Sequence, residues 1–519
     1  HEVCAAYTAA SKHKGQPTVI LAKTVKGYGM GSSGEAQNPT HQQKKMDGES
    51  LRKFRDRFNI PVTDEELPKL PFVRPAKDSQ EEKYLKQRCT EMGTVPTREP
   101  LAHPLNIPPL EAFAALLKDS EGREFSTTMA FVRLLGVLVK DKAIGRQIVP
   151  IVPDESRTFG MEGMFRQLGI FSQVGQLYTP QDADQLMLYK EDQTGQILQE
   201  GINEAGGMAD WIAAATAYAN HGVAMIPFYI YYSMFGFQRI GDLAWAAGDM
   251  LARGFLVGGT AGRTTLNGEG LQHEDGHSHL LAATIPNCVS YDPTFAYELA
   301  VIIQHGMERM YHQQEDVFYY LTVMNENYAH PAMPKGAEEG IIKGMYKFGA
   351  SKAKAKNKVQ LLGSGTILRE VIAAAELLEK DFNVAADVWS VTSFNELRRD
   401  GIDCERWNTL HPEAKPRVNY VEQCLDADTP VIAATDYIRS YADQIRPYVK
   451  ASYKTLGTDG FGRSDTRKKL RHFFEVDRFY VAVAALKALA DAGKVDAKEV
   501  SRAIKLYQID ANKPNPTTV

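Results

Sequence analysis

The sequence has 519 residues, too many for one hydrophobic core, and at roughly 100 to 200 residues per domain it is expected to form about three. Its 60 basic and 64 acidic residues leave a formal net charge of -4, and no basic block is long enough for a nucleic-acid arm, so nucleic-acid binding is not expected. The longest uncharged apolar stretch, 222–237, falls short of the roughly 20 residues needed to span a bilayer and contains Pro227, so it reads as a buried strand and its turn, not a membrane segment.

In chain order, the first residues read as a helix leading into an apolar strand over 17–24 (PTVILAKT), as if the chain began inside a domain. A Gly-rich polar stretch, 26–45, follows and reads as a long, functional or mobile loop. Prolines recurring from 61 to 109 suit an extended connector, with a domain boundary near 103.

Between 104 and about 335, runs rich in β-branched and aromatic residues lie at 148–152, 223–232, 255–259 and 317–325. The segments between them, such as 208–220, are long enough for crossover helices, so the sheet is predicted to be largely parallel. A second α/β set has strands at 358–364, 383–391 and 430–435 and a helix over 367–380, and is expected to be a separate C-terminal domain. The fold class is α/β, with largely parallel sheets flanked by helices. Five scattered cysteines without a C-x-x-C pair favour a reducing cytoplasm over a disulfide framework.

Three local motifs invite assignment. His273-Glu274-Asp275-Gly276-His277 fits the zinc-protease pattern H-E-x-x-H, but that chemistry needs a helix, and Gly268, Gly270 and Gly276 predict a loop. The segment 362–366 begins like a dinucleotide-binding turn but lacks the third glycine. His273, His277 and His279 have the ligand chemistry of a metal site, yet histidines in a polar loop more often make ordinary hydrogen bonds.

More telling are polar and aromatic groups at predicted strand ends, where open α/β sheets bind ligands. Glu204 precedes a helix, Tyr232 and Phe235 follow an apolar strand, and His273 sits in a Gly-rich loop. Together they have the chemistry of a cofactor site. The plainer reading makes Glu204 a helix cap and the aromatics core.

The segments 15–31 (GQPTVILAKTVKGYGMG), 152–170 (VPDESRTFGMEGMFRQLGI), 197–204 (ILQEGINE), 226–249 (IPFYIYYSMFGFQRIGDLAWAAGD) and 264–279 (TTLNGEGLQHEDGHSH) closely resemble homodimeric bacterial pyruvate dehydrogenases. The resemblance continues through 387–408 and 456–465 to the C-terminus. It implies a transketolase-like architecture, with 1–103 the tail of a diphosphate-binding domain and linker, 104–335 a pyrimidine-binding domain and 336–519 the C-terminal domain. It further implies thiamine diphosphate and magnesium as cofactors, with the metal ligands in an earlier part of the family that this sequence lacks. A chain of this extent alone is therefore expected to bind cofactor poorly.

By the same resemblance, Glu204 contacts the aminopyrimidine nitrogen N1' of thiamine diphosphate, Phe235 and Tyr232 flank the pyrimidine, and Glu155 is a supporting carboxylate. His273 lies near the reacting carbonyl. His41 assists acetyl transfer to lipoamide, and 174–190 is a second loop that orders around substrate. The implied reaction is oxidative decarboxylation of pyruvate, with the acetyl unit passed to the lipoyl domain of a dihydrolipoamide acetyltransferase. The alternatives are a transketolase-type enzyme, an inactive truncated fragment, and a zinc metalloprotease.

Overall fold

The apolar runs between 148 and 322 become a parallel sheet. The computed structural model describes residues 1–93, 102–154, 156–181, 183–184, 189–351 and 355–519. Its strands are β1 (Ile148–Val152), β2 (Leu198–Gln199), β3 (Ile226–Tyr232), β4 (Phe255–Gly259), β5 (Cys288–Tyr291) and β6 (Phe318–Thr322). They lie in the order β2-β1-β3-β4-β6-β5, every pairing parallel. The two strands lacking a clear apolar run, β2 and β5, escape the sequence reading.

The pleat of β3 explains why both faces are apolar. Phe228 and Ile230 join a core with helices α4 (Thr127–Leu138) and α7 (Ala296–Met307). Tyr229 and Tyr231 point the other way, into a core with α5 (Glu204–Ala215) and α6 (Gly236–Asp249). Covering both faces turns the period-2 pattern into a near-continuous hydrophobic run. The predicted crossover over 208–220 starts earlier, at Glu204, and breaks at Thr216 before a short second helix, Ala217–Asn220.

The C-terminal sheet contains β7 (Met345–Ala350), β8 (Asn357–Gly363), β9 (Val384–Val391), β10 (Val431–Ala434) and β11 (Tyr453–Leu456), in the order β7-β9-β8-β10-β11. Only the edge strand β7 is antiparallel. The predicted strands at 358–364, 383–391 and 430–435 and the helix over 367–380 are all present, the last as α8 (Ile367–Phe382). Helix α9 (Phe394–Leu410) lies on one face, and α8 and α11 (Arg478–Asp491) on the other.

The two sheets share a core and a buried carboxylate. Glu298, on α7, accepts hydrogen bonds from the backbone N–H groups of Thr294 and Phe295 and from the hydroxyls of Tyr346 on β7 and Ser390 on β9, at 2.5 to 3.0 Å. Burial raises its pKa above the ordinary value, while these donors oppose the rise.

The chain divides into two compact units, His1–Thr97 and Arg98–Val519. In the first, α1 (Glu2–Lys12) is present, but the strand predicted over 17–24 is not. Val19 and Leu21 are exposed there, and among the described residues no strand pairs with the segment. Strand-forming side chains do not make a strand without a hydrogen-bonding neighbour. The loop over 26–45 contains two 3-10 turns, Gly31–Ser33 and Asn38–His41. The proline-rich connector is corrected as well: α2 (Gly48–Arg57) precedes it, and α3 (Gln80–Met92) lies within it. Ser79 caps α3 by accepting from the Glu82 backbone, a helix-start signal the proline pattern obscured.

Candidate active site

Helices α5 and α6 both begin at the carboxyl-terminal end of the parallel sheet, where such folds open a crevice. Helix α5 is capped by Asn203, whose side chain accepts from the Gly206 backbone at 3.1 Å. The capping role considered for Glu204 therefore belongs to its neighbour, and the Glu204 carboxylate is free to face the crevice. Tyr229 on β3 ties down the helix start, its hydroxyl donating to the Glu204 carbonyl at 3.2 Å. Gly207 permits the close approach, since a Cβ there would sit 2.7 Å from the Tyr229 ring.

After β3 the chain turns sharply into α6. Gly236 makes this possible: a Cβ there would lie 2.1 Å from the Tyr231 ring. The turn sets Phe235 at the helix start, half-buried, with Tyr232 beside it at 6.0 Å between ring centres. The His273 ring lies 5.2 Å from Tyr232 and 5.1 Å from Phe235, closing an aromatic triad. His273 ends the 3-10 turn Leu271–His273 and has its Nδ1 3.2 Å from the Gly270 carbonyl.

Arg239 joins this triad to Glu204. Its guanidinium hydrogen-bonds the Glu204 carboxylate and lies 4.3 Å from the centre of the Phe235 ring. The sequence reading missed Arg239, although the signal was available. Four residues after Phe235 on a helix, it must lie over the same face. Thus Glu204, Tyr232, Phe235 and His273 come together as one crevice, carboxylate on one side and rings on the other.

The remaining predicted residues are elsewhere or undescribed. His41 is exposed in the first unit, its Nδ1 2.7 Å from the Lys26 amine. Glu155 lies outside the described residues, as do 182 and 185–188 of the predicted loop 174–190.

The zinc-protease motif does not form the required helix. His273 ends a 3-10 turn, and the next helix begins only at Ser278. The Glu274 carboxylate is buried, accepts from the Arg463 backbone at 2.6 Å, and has its pKa pushed by burial up to about 8. His277 faces Gln238 at 2.9 Å, whereas His279 is fully buried beside Thr322 and between Tyr437 and Tyr441. Burial takes the His279 pKa down to about 3. Among the described residues, no group of three or more potential ligands is placed to bind a metal. No helix among them is long and apolar enough to cross a membrane. The glycine turn at 362–366 serves packing: Ser364 Oγ meets Thr435 Oγ1 at 2.9 Å.

The architecture is that of a transketolase-like fold. A transketolase from Campylobacter jejuni superposes with a TM-score of 0.64, covering 94% of this chain and 65% of that one at 18% identity. One from Leishmania mexicana gives 0.58, with coverages of 99% and 66% and 16% identity. Family models describe residues 105–331 as the pyruvate dehydrogenase E1 component middle domain and residues 323–477 as the transketolase-like TK C-terminal domain. Proteins named pyruvate dehydrogenase E1 component are 64% identical in Cupriavidus necator, 65% in Pseudomonas aeruginosa and 59% in Escherichia coli K12, over 99 to 100% of this chain. The chain belongs to the pyruvate dehydrogenase E1 component family, and it spans 58 to 59% of the length of these relatives.

Proposed function

We propose that the protein takes part in the oxidative decarboxylation of pyruvate with thiamine diphosphate and magnesium, passing the acetyl unit to the lipoyl group of a dihydrolipoamide acetyltransferase. On this reading it works as a homodimer, with residues 1–103 the tail of the diphosphate-binding domain, 104–335 the pyrimidine-binding domain and 336–519 the C-terminal domain. Unpaired cysteines support a reducing compartment such as the cytoplasm.

The observation that carries the proposal is the crevice between the Glu204 carboxylate and the Phe235 ring. It already accommodates one flat cationic group, the Arg239 guanidinium, through a carboxylate hydrogen bond and a ring-face contact. A protonatable, flat nitrogen heterocycle such as an aminopyrimidine makes the same two interactions, so the donor set fits the cofactor. No magnesium ligand is assigned to this chain.

When bound, thiamine diphosphate supplies the carbon nucleophile and the electron sink for decarboxylation. Glu204 would hold or share a proton at pyrimidine N1', controlling the acid–base state of the exocyclic amine. Phe235 and Tyr232 would orient the ring by stacking and exclude water from one side. His273, an imidazole beside both rings, would donate a hydrogen bond to charge developing on the substrate oxygen. Glu155 would support the pyrimidine side, and His41 would assist transfer to lipoamide.

Nuclear magnetic resonance of hydrogen–deuterium exchange at the cofactor's reacting carbon tests the central role. In the full-length, cofactor-loaded protein, Glu204→Gln should slow exchange by on the order of 100-fold. An unchanged rate rejects the assignment. His41→Ala should retain decarboxylation with an artificial oxidant but lose transfer to a lipoyl domain, and equal losses would remove its dedicated role.

A further inference from the structure

A second cleft lies remote from Glu204 in sequence, where the segment after β6, α8, α10 (Arg467–Phe473) and the start of α11 meet. It measures about 1050 Å³, slightly above the roughly 300 to 1,000 Å³ of small-molecule sites. Seven lysine and arginine side chains line it against three carboxylates; Lys513 is paired with Glu475 at 3.1 Å, which leaves a surplus of three positive charges.

The inner wall already uses its acids. Glu326 pairs with Arg471 and with Arg369, the latter at 2.8 Å, while Glu370 pairs with Arg478 at 2.9 Å and with Arg471 at 3.6 Å. Three guanidinium groups thus share two carboxylates. The Arg369 guanidinium also lies over the Tyr328 ring, 4.3 Å from its centre, so it is held in the wall of the cleft.

The outer wall adds Arg467, Lys468 and Lys469, none of which pairs with a carboxylate among the described residues. A lysine pair on an exposed helix face is ordinarily just solvated. Arg467 differs because it is half-buried, with its Nε committed to the Thr265 carbonyl. Burial lowers its pKa, and the neighbouring Arg471 and Arg369 lower it further, partly offset by Glu326. Cations crowded around an open cleft repel one another unless an anion enters.

We propose that this cleft binds a small organic anion bearing two or more phosphate groups. The arginines offer planar donor forks and the lysines mobile point charges, the two side-chain types that best match phosphate oxygens. Phe473 and Phe479 supply apolar surface for the organic part. The site is independent of the pyruvate reaction proposed above.

Inorganic triphosphate is the probe, titrated calorimetrically into the 519-residue chain at physiological salt. Saturable one-site binding is expected, weakened on the order of tenfold or more by Lys468→Glu/Lys469→Glu. Both lysines are exposed, so the variant should remain folded, which the unchanged circular dichroism would verify. Lys498→Glu/Lys505→Glu makes the same change in net charge on an exposed helix elsewhere and should bind as the parent does. Absence of saturable binding, or equal weakening in the two variants, overturns the site. Citrate, which also carries multiple negative charges, should compete poorly; competition equal to that of triphosphate would overturn the phosphate assignment.

Discussion

Arg239 and Phe235 stand one helical turn apart, with the guanidinium 4.3 Å from the ring centre and its nitrogen bonded to Glu204. This contact sets the polarity of the crevice, because the cation lies between the carboxylate and the aromatic face. Its contribution to folding should nevertheless be small, since the Arg239 side chain is 48% exposed. A double-mutant cycle of Glu204→Gln and Arg239→Ala, read by urea denaturation, should give a coupling of about 1 kcal/mol or less. A much larger coupling would mean that solvent does not screen the pair.

Gly236 should be the most sensitive small residue near the crevice. Gly236→Ala puts a methyl group 2.1 Å from a Tyr231 ring carbon, so the ring or the start of α6 must shift. Overpacking of this kind costs about 1 to 3 kcal/mol. Because Phe235 precedes the glycine, the substitution should also weaken thiamine diphosphate binding by the full-length protein, as followed by calorimetry. A fully stable variant with unchanged affinity would contradict the tight turn.

The histidines at 273 and 279 should separate function from stability. His279 is fully buried against two tyrosine rings and Thr322, so His279→Ala leaves a cavity and should cost about 2 to 4 kcal/mol. His273 is half-buried at the crevice, and His273→Ala should change stability by about 0.5 kcal/mol while reducing turnover. Thermal denaturation and pyruvate-dependent reduction of an artificial acceptor distinguish the two.

Stability should fall as pH rises from about 6.5 to about 8. Burial holds the Glu274 pKa up to about 8 and those of Asp292 and Asp436 up to about 7. A carboxyl group with a raised folded-state pKa binds more protons folded than unfolded, so its stabilisation is present at low pH and lost through the folded pKa. Buried His279 and His330, lowered to about 3 and about 4, act in the opposite sense at lower pH, where the unfolded state takes up their protons. Above their ordinary pKa of about 6.5 they no longer contribute, which leaves the carboxyl decline exposed. Melting temperatures across this range should decrease, and Glu274→Gln should flatten the slope near pH 8.

The sequence was readable where patterning and burial agree. The run 148–152 is the strand observed, and 255–259 likewise, because strands buried on both faces are uniformly apolar. The short strands Leu198–Gln199 and Cys288–Tyr291 lack that uniform run and were missed. At 17–24 the local chemistry favoured a strand, but strand pairing is a property of two segments, and one sequence window cannot supply it. Strand-end position groups Glu204, Tyr232, Phe235 and His273 and family resemblance assigns their roles, whereas their common crevice needs three dimensions. Asn203 was a better cap candidate than Glu204 from residue preference alone, since its short side chain reaches back to the helix backbone.

Glu298 has a consequence for anyone recombining modules of this family. The carboxylate sits on a helix of the first sheet, while two of its donors, Tyr346 and Ser390, come from strands of the second. A chimera joined near residue 331 would inherit the acid from one parent and its hydroxyls from another. Unless all three travel together, the graft carries a desolvated charge into its seam, so the sequence boundary is a poor place for the scissors.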